Sequence, residues 1–316
     1  MLDHFTFAKF RFTIRAEEEI FLPSYKGAVF RGGFGYVFKK IVCVQRARKD
    51  CTDCILHRSC VYSYIFETSP PEDTKVLRLY RTIPHPFVIE PPLSGDRIIK
   101  QGDRVLFNLI LIGKAVDYLP YFILTFAELG KQGIGRDRGK FVLEKVEGLG
   151  ENGEGNIIYA CEKEVLQNDY PLLEASQLNH TEDKNNNNQI ELKFLTPFRV
   201  RFEGKITDNI KFHVILRNLI RRISSLLYFH CGRELECDFK TYIEEAEKVK
   251  TISNDLQWFD WERYSTRQKQ KMTLGGVLGQ VKYEGNLEPF AQFLRLGEYI
   301  HVGKGTSFGL GQYQIK

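Results

Sequence analysis

The sequence predicts an α+β protein made of two tandem ferredoxin-like domains. Each half of the 316-residue chain shows the approximate order strand, helix, strand, strand, helix, strand, with insertions, which is the order of the split βαβ unit. Between the halves lies a polar stretch that ends in four consecutive asparagines, and such a run contributes nothing to a core. We therefore expect a first domain over residues 1–150, a polar linker over residues 151–189 and a second domain over residues 190–316.

The composition is compatible with a nucleic-acid partner but does not require one. The formal net charge is +5 and 13% of the residues are aromatic, so the chain can attract a polyanion and stack on unpaired bases. No segment reaches the roughly 18 apolar residues of a membrane helix, and the first residues lack the pattern of a secretory signal. We expect a cytoplasmic protein without a membrane partner, in which the seven cysteines are reduced or metal-bound.

The first half begins with an alternating strand over residues 5–15, which has a basic outer face. A helical pattern follows with glycines at positions 32, 33 and 35, each costing about 1 kcal/mol against alanine. These glycines indicate either that something packs or binds close to this turn, or a loosely wound turn. Residues 61–100 are proline-rich and predict an extended surface excursion. A central strand over 104–113, a helix over 120–129, a basic glycine-rich loop and a strand over 140–146 complete this half.

Four of the seven cysteines lie within eighteen residues, around a C-x-x-C knuckle: Cys43, Cys51, Cys54 and Cys60. Clustered thiolates in a reducing compartment indicate a metal site. Zinc, with His57 as a substitute ligand, and an iron–sulfur cluster both remain open, as do buried free thiols. We expect a structural metal in a cysteine-rich and proline-rich insertion over residues 43–100.

The second half contains a basic helix and a basic aromatic segment. A strand pair over 190–196 and 198–203 precedes a helix over 211–230, on which Arg217 and Arg221 share a stripe. That stripe is either a solvated helix face or a surface for a phosphate backbone. Residues 263–271 contain Arg263, Arg267 and Lys269 with a tyrosine between them, a combination that suits single-stranded nucleic acid.

An acidic helix over 240–250, a strand over 275–283, a helix near 287–295 and a short strand over 297–302 lead to the tail. The tail from His301 onward gathers four glycines around Lys304: Gly303, Gly305, Gly309 and Gly311. Glycine permits positive φ angles, and stacked N–H groups beside a lysine form an anion site. A dinucleotide fingerprint is excluded because only five residues follow Gly311, and a P-loop because glycine follows Lys304. A tight hairpin at the end of a sheet and a phosphate-binding loop both remain open.

Several of these stretches together resemble a CRISPR-associated repeat-RNA processing endoribonuclease of the RAMP superfamily. They are residues 25–36, the cysteine loop, and residues 84–92, 133–141, 216–222, 263–268 and 301–311. The resemblance implies tandem ferredoxin-like (RRM-like) domains, CRISPR repeat RNA as the partner, and cleavage of the precursor transcript within each repeat. It also fits a non-catalytic guide-RNA-binding subunit that contacts other subunits of a CRISPR effector complex.

The implied reaction leaves a 2′,3′-cyclic phosphate and a 5′-hydroxyl and needs no metal at the scissile phosphate. A general base, a general acid and a cation suffice, and histidine suits the first two near neutral pH. We predict His301 as acid or base, with Lys304 on the phosphate, and His230 and Tyr36 as further candidates; a structural role for each histidine remains open. The predicted RNA-binding residues are Gly303, Gly305, Gly309, Gly311, Arg217, Arg221, Arg263, Arg267, Lys269, Arg136 and Arg138. A redox or metal-sensing protein built on the cysteine loop is the weaker alternative.

Overall fold

A computed structural model of the chain describes residues 1–45, 51–68, 70, 83–163, 165–178, 188–265 and 270–316, without the side chains of residues 262–265 and 270–274. The chain divides into two compact bodies. The first body contains residues 5–173 and 225–233, and the second contains residues 1–4, 174–224 and 234–316. None of the helices described is long and apolar enough to cross a membrane.

The first body is built mainly on one antiparallel sheet. Its elements are β1 (Thr6–Ala16), β2 (Ile20–Phe21), α1 (Gly27–Val42), α2 (Val61–Phe66), β3 (Phe87–Glu90), β4 (Ile98–Ile99), β5 (Arg104–Ile112), α3 (Leu119–Gln132), β6 (Phe141–Leu149), β7 (Gly155–Ala160) and β8 (Leu173–Glu174). The main sheet has the order β3-β5-β1-β6-β7. Taking β1, β3, β5 and β6 as the four strands of a ferredoxin-like unit, this is the order 2-3-1-4, which confirms the predicted fold class.

An aromatic core fills the space between this sheet and its helices. The alternation predicted for β1 places Phe12 inward, where its ring stacks on Phe107 with centroids 5.1 Å apart. From α1, Phe34 stacks on Phe122 of α3 at 4.7 Å. The ring pairs therefore join the central strands to both helices, which is where burial of apolar area stabilises the body most.

The proline-rich stretch differs from the predicted surface excursion. Helix α2 and strand β3 both lie within residues 61–100, and all four residues of β3 are buried. Phe66 and Phe87 pack edge to face at 5.3 Å and join the core around Phe34. The prolines flank these two elements instead of interrupting them, so burial of the aromatic rings decides the conformation.

A strand lies inside the polar stretch between the two predicted domains. Strand β7 lies within the polar residues 151–189 and pairs with β6 across a tight turn, in which Gly150 N donates to Glu154 O at 2.8 Å.

In α1, a Cβ on Gly33 would lie 3.1 Å from Leu129 Cδ1, and one on Gly35 would lie 3.2 Å from Phe66 Cε1. Close packing of neighbouring side chains therefore accounts for these two helix glycines.

The second body repeats the same arrangement. Its elements are β9 (Gln189–Phe198), β10 (Val200–Phe202), β11 (Lys205–Thr207), α4 (Phe212–Leu226), α5 (Phe239–Glu247), β12 (Lys250–Asn254), β13 (Gln257–Ser265), β14 (Gln270–Glu284), α6 (Ala291–Ile300) and β15 (Tyr313–Ile315). The sheet order is β12-β14-β9-β15, with β13 also paired to β14. The predicted helix over 211–230 is confirmed, since α4 continues as a π-helical turn over Leu227–Cys231.

The stretch just before the tail was predicted incorrectly. The strand expected over residues 297–302 is helical up to Ile300, because Phe293, Leu296 and Ile300 lie at helical spacing and are all buried. The closing strand is instead β15, where the Tyr313 hydroxyl donates to Leu294 O of α6 at 2.6 Å. The glycine-rich tail therefore connects a helix to an edge strand.

Candidate functional site

The glycine-rich tail forms a tight loop between α6 and β15. His301, Gly303, Gly305, Gly309 and Gly311 all have positive φ angles. At Gly311 a Cβ would lie 1.8 Å from Val302 O, a distance that no side chain can tolerate. The predicted need for glycine thus has two causes here, the backbone conformation and the close approach of another chain segment.

Strand β9 holds this loop in place. The buried Thr196 hydroxyl donates to Gly309 O at 2.7 Å and accepts from Gln312 N at 2.9 Å. Gly311 N donates to Pro197 O at 3.1 Å, and Val302 N to Gly311 O at the same distance. Because the N–H groups of Gly311 and Val302 bond to protein carbonyls, neither is available to an anion at the loop.

In the second body the positive charges of Arg201, Arg199 and Arg221 all act on Lys304, and these four residues are here called the Lys304 cluster. Lys304 N donates to Arg199 O at 2.8 Å, which brings the loop against the turn between β9 and β10. Burial lowers the pKa of Lys304, and the charges of Arg201, Arg199 and Arg221 lower it further. Crowded like charges repel one another, and a bound phosphate removes that cost.

The sequence predicted Lys304 and Arg221 as site residues but not Arg199 and Arg201. The available signal was the alternation of these arginines with apolar residues, which indicates a polar face around the turn between β9 and β10. Arg217 is exposed on α4 one helical turn before Arg221, but its charge is not among those that shift the pKa of Lys304. The predicted RNA-binding stripe on α4 therefore contributes Arg221 to the cluster.

His301 lies at the base of the loop and is fully buried. Its Nδ1 is 3.2 Å from Leu310 O, and its backbone N donates to Gly297 O at 2.9 Å. Since a carbonyl oxygen only accepts, this contact requires the proton on Nδ1. The ring therefore ties the two ends of the loop together, and its predicted acid–base role stays a prediction.

Arg222 supports the helix end from which the loop starts. Its Nε donates to Ile300 O at 3.0 Å, and burial lowers the pKa of its guanidinium to about 9. A cation at the last carbonyls of α6 also complements the helix dipole.

His230 belongs to the first body, where it is fully buried. Its Nε2 lies 2.9 Å from Pro84 O and its Nδ1 lies 3.1 Å from the Tyr64 hydroxyl. Nε2 must donate to the carbonyl oxygen, which leaves Nδ1 to accept from Tyr64 when the ring is neutral. These bonds fix residues 225–233 against the body; the catalytic role predicted for His230 remains untested.

A second group of polar residues lies on α1 and the loop after α3 of the first body: Tyr36, Lys40 and Arg138, here called the Tyr36 site. Tyr36 is 60% exposed, and Lys40 Nζ lies 4.2 Å from its ring centroid. A hydrogen bond from Lys40, together with its charge, lowers the pKa of the Tyr36 phenol, and Arg138 adds to the effect. Lys40 was not predicted as a site residue, although its i+4 spacing from Tyr36 places it on the same helix face.

The predicted arginines of this loop have different environments. Arg138 adopts a left-handed conformation, with φ of 54°, and its carbonyl lies against Gly133. Arg136 stacks over the Phe21 ring at 4.8 Å and forms an ion pair with Asp137 at 3.2 Å. The charge of Arg136 is therefore partly balanced, whereas that of Arg138 acts on Tyr36.

The cysteine loop contains four half-buried free thiols: Cys43, Cys51, Cys54 and Cys60. Burial raises the pKa of Cys51; Lys39 opposes this shift, and Glu67, Cys43 and Cys60 add to it. Thiols suit zinc or an iron–sulfur cluster, but no group of three or more histidine, cysteine or acidic residues that could hold a metal occurs in the part of the chain that the structure describes. The metal site stays a prediction from sequence.

Three predicted RNA-binding residues lie wholly or partly outside the part of the chain that the structure describes. Arg263 lies on β13 with its side chain outside the description, and Arg267 and Lys269 lie outside the described residues.

Two family models match the chain. The AF_1859_N family, described as an N-terminal domain, matches residues 5–171, which is just over half of the 316 residues. The CRISPR-associated endoribonuclease Cas6 matches residues 192–313, a range that contains the Lys304 cluster. An uncharacterized protein of Archaeoglobus fulgidus is 25% identical over 303 residues, which is 93% of each chain.

Solved structures share the fold. A Cas6 (TTHB231) product complex has a TM-score of 0.58 and 13% identity over 98% of this chain and 99% of that one. Thermus thermophilus Cas6 (TTHB231) has a TM-score of 0.54 and 12% identity over 99% of each chain. A partial Cas6-RT-Cas1–Cas2 complex has a TM-score of 0.58 and 12% identity over 99% of this chain and 46% of that one. At such identities the likeness shows the tandem ferredoxin-like fold alone.

Proposed function

The chain belongs to the AF_1859_N family and matches Cas6 over residues 192–313, and from this premise we propose that it is an endoribonuclease that cleaves CRISPR precursor RNA within the repeats. The observation that carries the proposal is the Lys304 cluster, which gathers four cations at the glycine-rich loop inside the Cas6-matched range. A cluster of this kind suits the phosphates of a polyanion better than any neutral ligand.

We propose cleavage by the 2′-hydroxyl of the RNA itself. The 2′-oxygen forms a bond to the adjacent phosphorus as its proton leaves to a base, and the P–O5′ bond breaks as the 5′-oxygen gains a proton. The products are a 2′,3′-cyclic phosphate and a 5′-hydroxyl, and the step consumes no co-reactant. It needs a base, an acid and a cation at the phosphoryl oxygens.

The exposed groups suit these roles better than the buried ones. Tyr36, whose pKa is lowered by Lys40, is proposed as the base, because a lower pKa makes the phenolate more available. Lys304 is proposed to bind an RNA phosphate beside the glycine-rich loop of the second body. His301 is proposed to position the loop through Leu310 O, since its ring is fully buried.

Incubation of the purified protein with its repeat RNA in excess chelator, followed by mapping of the product ends, tests the proposal. We expect one cut at a fixed position with cyclic-phosphate and 5′-hydroxyl ends. Tyr36→Phe and Lys304→Ala should slow the cut, whereas Tyr121→Phe, at another exposed tyrosine of the first body, should not. Binding without any cut would overturn the enzyme proposal, and absence of binding would overturn RNA as the partner.

The burial of both predicted catalytic histidines favours one second candidate, a non-catalytic guide-RNA-binding subunit. The Cas6-RT-Cas1–Cas2 complexes show that a protein of this fold can occur in a larger assembly, so subunits of a CRISPR complex are proposed as further partners. Tight binding of repeat RNA with no cleavage under any metal condition would support this candidate.

A further inference from the structure

Trp258 on β13 is held in one orientation at the surface of the second body. Its Nε1 donates to Asp260 Oδ1 at 2.9 Å. Its ring rests on the backbone of Gly275 in β14, where a Cβ would lie 2.2 Å from Trp258 Cζ2. The side chain nevertheless remains 45% exposed. The glycine contact and the hydrogen bond already fix the indole ring. It therefore loses little conformational entropy when a flat ligand covers its open side.

The same glycine connects this ring to the Lys304 cluster. Arg199 Nη1 donates to Gly275 O at 2.8 Å, so the indole and the guanidinium contact one residue. The carbonyl oxygen of Arg199 in turn accepts a hydrogen bond from the backbone N of Lys304. An aromatic ring and the cationic Arg199 thus contact the same glycine, and aromatic rings beside cations are a combination used for single-stranded nucleic acid.

We propose that Trp258 is a stacking platform for one base of single-stranded RNA whose neighbouring phosphate lies on Arg199 and Lys304. This inference rests on the proposed function and adds to it a site for an unpaired nucleotide beside the glycine-rich loop. The next residue, Phe259, points to the opposite face of β13 and is 40% exposed. It is therefore a matched control of similar exposure.

The test measures affinity for repeat RNA that carries a 2′-deoxy nucleotide at the cut position, so that binding is separated from cleavage. We expect Trp258→Ala to weaken binding about 5- to 150-fold, the range for loss of one base stack. Trp258→Phe should stay within a few-fold of wild type, because a phenyl ring still stacks. Phe259→Ala should leave the affinity unchanged.

A second measurement does not depend on a truncation. RNA should quench the tryptophan fluorescence of the wild type and of Trp261→Phe, but not that of Trp258→Phe, since Trp261 is buried. If the wild type binds and cuts repeat RNA while Trp258→Ala binds equally well, the platform is refuted and the proposed function stands. A docking site for a protein segment would give that same result. If the wild type binds no RNA, the proposed function itself fails.

Discussion

Gly311 offers a direct test of why the tail contains glycine. It has φ of +73°, and an added Cβ would lie 1.8 Å from Val302 O. Gly204, in the turn between β10 and β11, has a similar φ of +79°, but a Cβ there would meet nothing within 4 Å. Gly311→Ala and Gly204→Ala therefore share the cost of a left-handed alanine, about 1–2 kcal/mol. They differ in the steric clash alone.

The magnitude of the difference follows from the bonds that the clash breaks. To relieve it, the loop must move and lose the bonds from Val302 N to Gly311 O and from Gly311 N to Pro197 O, both 3.1 Å. Each lost bond costs about 1 kcal/mol, and a buried group left without a partner costs about 1–3 kcal/mol. We expect Gly311→Ala to be less stable than Gly204→Ala by about 3 kcal/mol.

Calorimetry of the full chain measures this difference. For a domain of this size about 3 kcal/mol corresponds to a further fall in Tm of roughly 6–12 °C. RNA affinity should fall with Gly311→Ala and not with Gly204→Ala, because Lys304 moves with the loop. Equal Tm values for the two variants would refute the reasoning, since left-handed strain alone would then explain the glycine.

Three further predictions concern charge and pH. In binding titrations at several salt concentrations, Lys304→Gln should make the slope of log K for single-stranded RNA against log salt shallower by about 0.7, where K is the association constant. The control Lys240→Gln on α5 should leave the slope unchanged. Equal slopes for the two variants would contradict a phosphate contact at Lys304. Lys40→Met should raise the pKa of Tyr36 toward its ordinary value, so that cleavage slows below pH 10 and the ascending limb of the pH–rate profile, which reports the base, shifts to higher pH. An unchanged profile would exclude Tyr36 as the base. Burial raises the pKa of Tyr283, whose hydroxyl donates to Ile210 O at 2.6 Å, above the value of about 10 in the unfolded chain. Its contribution to stability is therefore complete below pH 10 and falls above it by up to about 1.4 kcal/mol per pH unit. Tyr283→Phe should flatten that fall in urea unfolding between pH 9 and 11, and an identical slope in the variant would contradict the assignment.

The local pattern of the sequence was enough to predict the fold class. The alternation around Phe12, the apolar run of β5 and the long stripe of α4 are short-range signals, and each produced the expected element. The glycine-rich tail was likewise visible as a special backbone, because positive φ and close approach both select glycine.

The chemistry of the candidate sites depended on contacts between residues far apart in the chain. Arg199 and Lys304 are about a hundred positions apart and become neighbours only when the loop after α6 folds against β9. His301 has the residue type expected of a catalyst, yet its ring is fully buried and bonds to Leu310 O. Residue type and spacing indicate which groups are available for chemistry. Burial and proximity, which decide whether such a group can act, depend on long-range packing and are therefore determined by the tertiary structure.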